Sequence, residues 1–253
     1  PSAYNVAWQQ AIVIVERVSP IVSEVSAAVL AASQNDRAGL RRYVKMFTEG
    51  IALLAFPATF GLAVVADDFV ALIFGDEWLP AIGPLRILAL VAAFRSITPV
   101  LSQVLIATDQ AKKNMQFAVA GSVVIPVMLY VGSRWGITGV ALGWLVGHPL
   151  VMGTVLLRYA LHTTELSLMG YLSALRAPAI ACGGMVAAVI AVRAAMPLDW
   201  PLWLRFILEV GTGVAVYGGW MFSAYRKRFQ SFLAVLRSPP AAQEPSQSEE
   251  ART

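Results

Sequence analysis

Seven stretches of mostly apolar residues, divided by short polar joints, take up nearly all of residues 4–224. The hydrocarbon core of a bilayer is about 30 Å thick, and a helix rising about 1.5 Å per residue crosses it in roughly 20 residues. The pattern therefore predicts membrane helices over about 6–30, 46–66, 81–107, 114–133, 137–157, 175–195 and 204–223. Alternating strands would not produce apolar runs of this length. The expected fold class is an all-α membrane protein with seven transmembrane helices.

Composition supports that solvent. Charged residues make up 13% of the chain against 58% hydrophobic, too little polar surface to cover a water-soluble domain of this length. The formal charge of +4 would suit nucleic acid, but the basic residues sit in short clusters between spans and not along one face, so no nucleic acid is expected. The lone Cys182 lies inside an apolar span and packing is its expected role. The chain opens on Pro1, directly before a span and without a basic leader, which reads as a piece of a longer protein.

Basic joints orient the spans. Arg37, Arg41, Arg42, Lys45, Lys112, Lys113, Arg158, Arg176, Arg226, Lys227, Arg228 and Arg237 all fall on one side. Arg134, Arg193 and Arg205, with Asp67, Asp68, Asp76 and Glu77, fall on the other. Odd-numbered spans are thus expected to end in the cytoplasm. The tail from Ser238, rich in Pro, Ser, Gln and Glu, lacks the apolar area that would offset its ordering entropy and is expected to be disordered there.

Polar residues within the spans are the candidate functional groups, since each is costly in hydrocarbon and needs a partner or water. In the first span Gln9, Glu16, Ser19, Ser23 and Ser26 gather on one face at 100° per residue, with Arg17 and Glu24 extending it. Such a face suits a wet cavity or a bundle interior, or alternatively a helix lying at the interface with its charges among headgroups. Pro20 removes a backbone donor and is expected to kink this helix. In the third span Arg95, Thr98 and Ser102 share a face with Pro99 and Gln103 beside them; Arg95 suits either a cavity or a structural bond to a helix carbonyl. Arg86 is expected to snorkel at the outer end, and Arg205 and Glu209 to form an interfacial i, i+4 pair. Gly136, Gly139, Gly143 and Gly147 fall in one stripe, whose expected meaning is close helix packing. His148, alone and without ligand-spaced partners, marks no metal site. No catalytic, nucleotide or zinc spacing occurs, so neither an enzyme nor a cofactor is expected.

Several short motifs occur in order. Tyr4-Asn5-Val6-Ala7 opens the first span, and Phe56-Pro57 with Gly61-Leu62-Ala63 lies in the second. Phe74-Gly75-Asp76-Glu77-Trp78 forms the outer joint before Leu85 to Leu90, and Gly136-Ile137-Thr138-Gly139-Val140-Ala141 opens the fifth span. Over about residues 3–160 this order and spacing resembles the C-terminal half of bacterial polysaccharide flippases, the polysaccharide-transporter branch of the multidrug/oligosaccharidyl-lipid/polysaccharide exporter superfamily. Two features depart from that family's pattern. Val29-Leu30-Ala31-Ala32-Ser33 keeps the serine but not the proline of its usual helix ending, and Ala107-Thr108-Asp109-Gln110 replaces a Gly-Arg turn.

The resemblance implies residues 1–160 as five spans of a C-terminal lobe, 161–225 as an additional helix pair, and 226–253 as a basic juxtamembrane stretch and cytoplasmic tail. It implies a bacterial inner-membrane protein whose missing N-terminal lobe completes a central cavity. There, alternating access would move a polyprenyl-pyrophosphate-linked oligosaccharide from the inner to the outer leaflet for lipopolysaccharide, capsule or exopolysaccharide synthesis. An anionic pyrophosphate and a glycan need positive charge and donors at depth, for which Arg17, Arg95, Ser19, Ser23, Thr98 and Ser102 are candidates, while the prenyl tail stays among membrane lipids. Glu16 and Glu24 are candidates for proton or sodium uptake. A cation-coupled drug or small-molecule antiporter of the same superfamily, or a non-transporting membrane scaffold, would share the architecture.

Overall fold

A computed structural model describes residues 5, 7–11, 26, 27, 29–34, 36–197 and 199–225. Among these the chain is all-helical, with no strand. The first long helix, α1, runs Arg37–Val64 and begins at Asp36, whose side-chain Oδ1 accepts the Ala38 N–H at 2.9 Å. This cap supplies one of the acceptors that a helix start lacks. The helix begins nine residues before the apolar run expected from about residue 46, so Arg37, Arg41, Arg42 and Lys45 lie on a helix and not in a loop. A short helix, α2 (Ala66–Ile73), follows, then a 3₁₀ turn Asp76–Ala81 and α3 (Ile82–Ala107). Gly75 carries the chain between them with φ of 87°, a conformation that costs a side-chain-bearing residue about 1–2 kcal/mol.

The turn after α3 keeps a left-handed residue without glycine: Asp109 has φ of 59°, and the Gln110 N–H donates to the Leu105 carbonyl at 2.8 Å. Asp tolerates this region better than most residues. Helices α4 (Ala111–Ser133) and α5 (Gly136–His148) come next. A π-helical stretch, Pro149–Leu156, continues α5 into α6 (Leu157–Thr164), where one helix over about 137–157 was expected. Pro149 has no N–H to give to the preceding turn, which accounts for the break in the regular ladder there. After Glu165, Ser167 caps α7 (Leu168–Ala195) by accepting the Gly170 N–H on its Oγ at 3.0 Å. The last helix is α8 (Leu202–Trp220), ending in a π turn, Met221–Tyr225.

Four helical stretches are long and apolar enough to cross a bilayer by length and composition: Arg37–Val64, Asp76–Ala107, Ala111–Ser133 and Leu168–Ala195. A shorter apolar helix covers Gly136–Val151. At 28 residues, α1 and α7 are each about 42 Å long and overreach the hydrocarbon core.

In packing order the helices run α8, α7, α1, α3, α5, α4, with α2 against α8. Apolar clusters fill the bundle from end to end. Ala66, Val70, Leu85, Leu88 and Ala141 close one end together with Ala7 and Ala11. Leu40, Val44, Leu105, Phe117, Leu156 and Tyr171 close the other together with Leu30. Large apolar side chains face outward along α4 (Met115, Val119, Val123, Val127) and α8 (Trp203, Ile207, Val214). In water so continuous an apolar surface would aggregate, whereas lipid tails solvate it.

The glycine stripe has two meanings. A Cβ on Gly139 would stand 2.1 Å from the Gly132 carbonyl oxygen, and one on Gly143 would stand 2.7 Å from that of Met128, so α4 and α5 touch backbone to backbone. Gly136 has nothing within 4 Å and is needed for its φ of 74°. Close packing, as expected, explains the first two and not the last.

Candidate functional site

Glu16, Arg17, Ser19, Ser23 and Glu24 lie outside the described residues, as does Pro20. Arg95, Thr98 and Ser102 occupy one side of α3 and are all half-buried, while Ser96, Val100 and Val104 on the other side are fully enclosed. The shared side follows from the periodicity, since residues at i, i+3 and i+7 fall on one face. The Thr98 hydroxyl donates to the Phe94 carbonyl at 3.4 Å.

The Arg95 guanidinium lies 5.4 Å from the centre of the Trp8 ring and 5.2 Å from that of Trp144. The two rings are themselves 4.8 Å apart. Ring faces are electron-rich, and a cation within about 6 Å gains about 0.5–2 kcal/mol, most where water is excluded. Three helical segments thus converge on one positive charge near mid-depth of α3. His148, one turn beyond Trp144, is buried as well. The two tryptophans were missed in the sequence. Both sit in apolar runs, where an aromatic residue reads as ordinary packing, and their sequence separation hides the pairing.

A second polar cluster ties α7 and α8 to the helices before them. Glu209 of α8 is fully buried and accepts two bonds from Arg193 of α7, from Nε at 2.6 Å and from Nη2 at 2.8 Å. Arg193 also reaches Asp67 of α2 at 3.3 Å, and Asp67 pairs with Arg86 of α3. Arg205 stands 3.8 Å from Asp68. The expected i, i+4 pairing of Arg205 with Glu209 is thus replaced by a tertiary one: the packing of α7 against α8 aligns the Arg193 fork with both carboxylate oxygens, and Arg205 stands by Asp68 instead. Burial, and then the nearby Glu209 carboxylate, raise the Asp68 carboxyl above its ordinary value.

A third polar arrangement bears no ion. Pro57 has no N–H for the Leu53 carbonyl four residues back, and the Tyr217 hydroxyl of α8 donates to that oxygen at 2.7 Å. Beside it an apolar cleft of about 480 Å³ separates α1 from α7 and α8, with Gly61, Met185, Gly213 and Tyr217 in its walls.

These features define a class: an all-α, multi-pass membrane protein with charged and hydroxyl groups held inside its helical bundle. Comparison with known proteins narrows the class. Residues 2–83 match the family model described as polysaccharide biosynthesis protein. An uncharacterized membrane protein in the cps region of Klebsiella pneumoniae is 29% identical over 144 residues, 56% of this chain and 30% of its own length. The lipopolysaccharide biosynthesis protein WzxC of Escherichia coli is 31% identical over 144 residues, 56% of this chain and 29% of its own length. The teichuronic acid biosynthesis protein TuaB of Bacillus subtilis is 32% identical over 108 residues, 43% of this chain and 22% of its own length. In fold the chain is similar to the lipid II flippase MurJ in its inward closed conformation, with a TM-score of 0.63 over 88% of this chain and 48% of that one, at 17% identity. The family resemblance carried by the motifs is borne out, while the match spans less than a third of each curated relative's length.

Proposed function

We propose that this chain is part of a bacterial inner-membrane flippase that moves a polyprenyl-pyrophosphate-linked oligosaccharide between leaflets by alternating access. The observation that carries the reading is Arg95: a half-buried guanidinium held by two tryptophans near mid-depth of α3, in a fold similar to that of a lipid flippase. A fixed cation with hydroxyl neighbours Thr98 and Ser102 suits a pyrophosphate or sugar more than a hydrophobic drug. No catalytic step is needed, since transport breaks no bond. Arg17, Ser19 and Ser23 would add to this polar lining, and Glu16 and Glu24 would couple it to a cation.

In this reading the seven spans are five of a C-terminal lobe, over 1–160, and an additional pair within 161–225. An N-terminal lobe of the same protein supplies the facing wall. The 226–253 stretch lies in the cytoplasm, as the basic joints favour. The similarity to polysaccharide biosynthesis proteins supports the glycan class of substrate, and the likeness to MurJ supports the helical frame.

The test is complementation of a deletion strain by the intact protein. Arg95→Ala is expected to abolish surface polysaccharide at normal protein levels, and Arg95→Lys, which keeps charge without the planar fork, to restore it only in part. Full export by Arg95→Ala and by Arg17→Ala would refute an essential role for either. Sensitisation of the deletion strain to cationic drugs, with polysaccharide unchanged, would replace the flippase by an antiporter.

A further inference from the structure

We propose that the basic cleft at the Arg37 and Arg158 end of the bundle binds the phosphate of an anionic membrane lipid. Arg158 and His162 lie four residues apart on one face of α6, and Lys113, in the first turn of α4, stands across from them. Together with Arg37, Gln110 and Glu165 they line a hollow of about 790 Å³. An adjoining hollow of about 450 Å³ shares Lys113, Arg158 and His162 and adds Val155 and Tyr159.

The cationic side of the cleft is built and not incidental. Gln110 Nε2 donates to Thr163 Oγ1 at 2.7 Å, pinning the start of α4 to the end of α6. Lys113 Nζ donates to Gln110 Oε1 at 2.9 Å and stands 4.9 Å from the centre of the Tyr159 ring. The carboxylate within the cleft, Glu165, is already paired with Arg37. Arg158 makes no ion pair among the described residues, which leaves its fork for an incoming anion. Helix α4 starts beside the cleft with no side-chain cap, and its aligned peptide dipoles add to the positive potential.

The surface next to the charges selects the source of the phosphate. Val155 and Tyr159, in the wall of the adjoining hollow, are 40% and 43% exposed. A soluble phosphate has no use for such a surface. A lipid places its headgroup among the cations and its acyl chains against Val155 and Tyr159. The inference needs only the membrane-embedded fold and is independent of the flippase reading.

Native mass spectrometry of the full chain, released from micelles supplied with phosphatidylglycerol or phosphatidylcholine, tests it. The wild type is expected to retain phosphatidylglycerol preferentially, and an Arg158→Gln, His162→Gln double variant to bind it about tenfold more weakly, the equivalent of one lost charge-assisted hydrogen bond. Arg158→Glu should abolish retention. Protection of the buried Cys182 thiol from a maleimide reports that each variant is folded. Equal retention of the two lipids, or unchanged retention by folded variants, overturns the site. Displacement of phosphatidylglycerol by millimolar inorganic phosphate overturns the lipid assignment in favour of a free-phosphate site, whereas resistance to it supports the lipid. Because Arg95→Ala leaves this cleft intact, a variant dead in export that still retains phosphatidylglycerol separates the two proposals.

Discussion

A single missing proton donor shows how one residue shapes the contacts of another far along the chain. Pro57 leaves the Leu53 carbonyl without its helical partner, and an unpaired carbonyl in an apolar setting is costly. Tyr217, 164 residues away, repairs the loss with its hydroxyl. Tyr217→Phe keeps the ring and removes the bond, so destabilisation by about 1–3 kcal/mol is expected. Cys182, the single cysteine and fully buried beside Ala52, Phe56 and Ala93, gives the readout: the temperature at which a maleimide dye reaches it should fall. An unchanged midpoint would mean that water or another donor serves Leu53 equally well. At the same scale Arg95 gains its position from Trp8 and Trp144, and the three groups come from separate helical segments.

Helix pairs depend on how closely their backbones approach. Between α4 and α5 the carbonyl of Gly132 occupies the place where a Gly139 side chain would stand, so Gly139→Ala must push the helices apart. Overpacking of this kind costs about 1–3 kcal/mol. The neighbouring Gly147 faces only the Met128 side chain, with its nearest atoms at 3.4 Å, and Gly147→Ala is expected to be close to neutral. The same Cys182 melting measurement compares the two, and equal midpoints would remove the close-contact explanation. Where charge and not size governs a helix, its ends shift: the basic residues from Arg37 to Lys45 extend α1 past the bilayer, because Asp36 caps it and the backbone bonds continue into water.

Across the whole molecule the Arg86, Asp67, Arg193 and Glu209 chain joins α2, α3, α7 and α8. Removing one member of a buried ion pair leaves the other uncompensated, at a cost of about 3–5 kcal/mol, while replacing both by apolar residues of similar size is often near neutral. Glu209→Leu is therefore expected to loosen the α7 and α8 pair strongly, and Arg193→Met combined with Glu209→Leu to recover most of the loss. Hydrogen exchange over Leu202–Trp220 would register both effects. Additive losses in the double variant would count against a coupled pair.

The hydrophobic pattern was enough to announce helices in a membrane, because an apolar run of about 20 residues has few other stable solutions in water or lipid. It also placed Arg95, Thr98 and Ser102 on one face, since that follows from 3.6 residues per turn alone. The short helix α2, the π-helical break after His148 and the early starts of α1 and α7 were not legible, for each depends on caps and backbone bonds that hydropathy does not record. Which residues meet across helices was decided only in three dimensions. Arg205 and Glu209 are ideally spaced on their own helix, yet the buried carboxylate bonds Arg193 because α7 brings a better-aligned fork to it. Periodicity sets the faces of a helix; only packing chooses what each face touches.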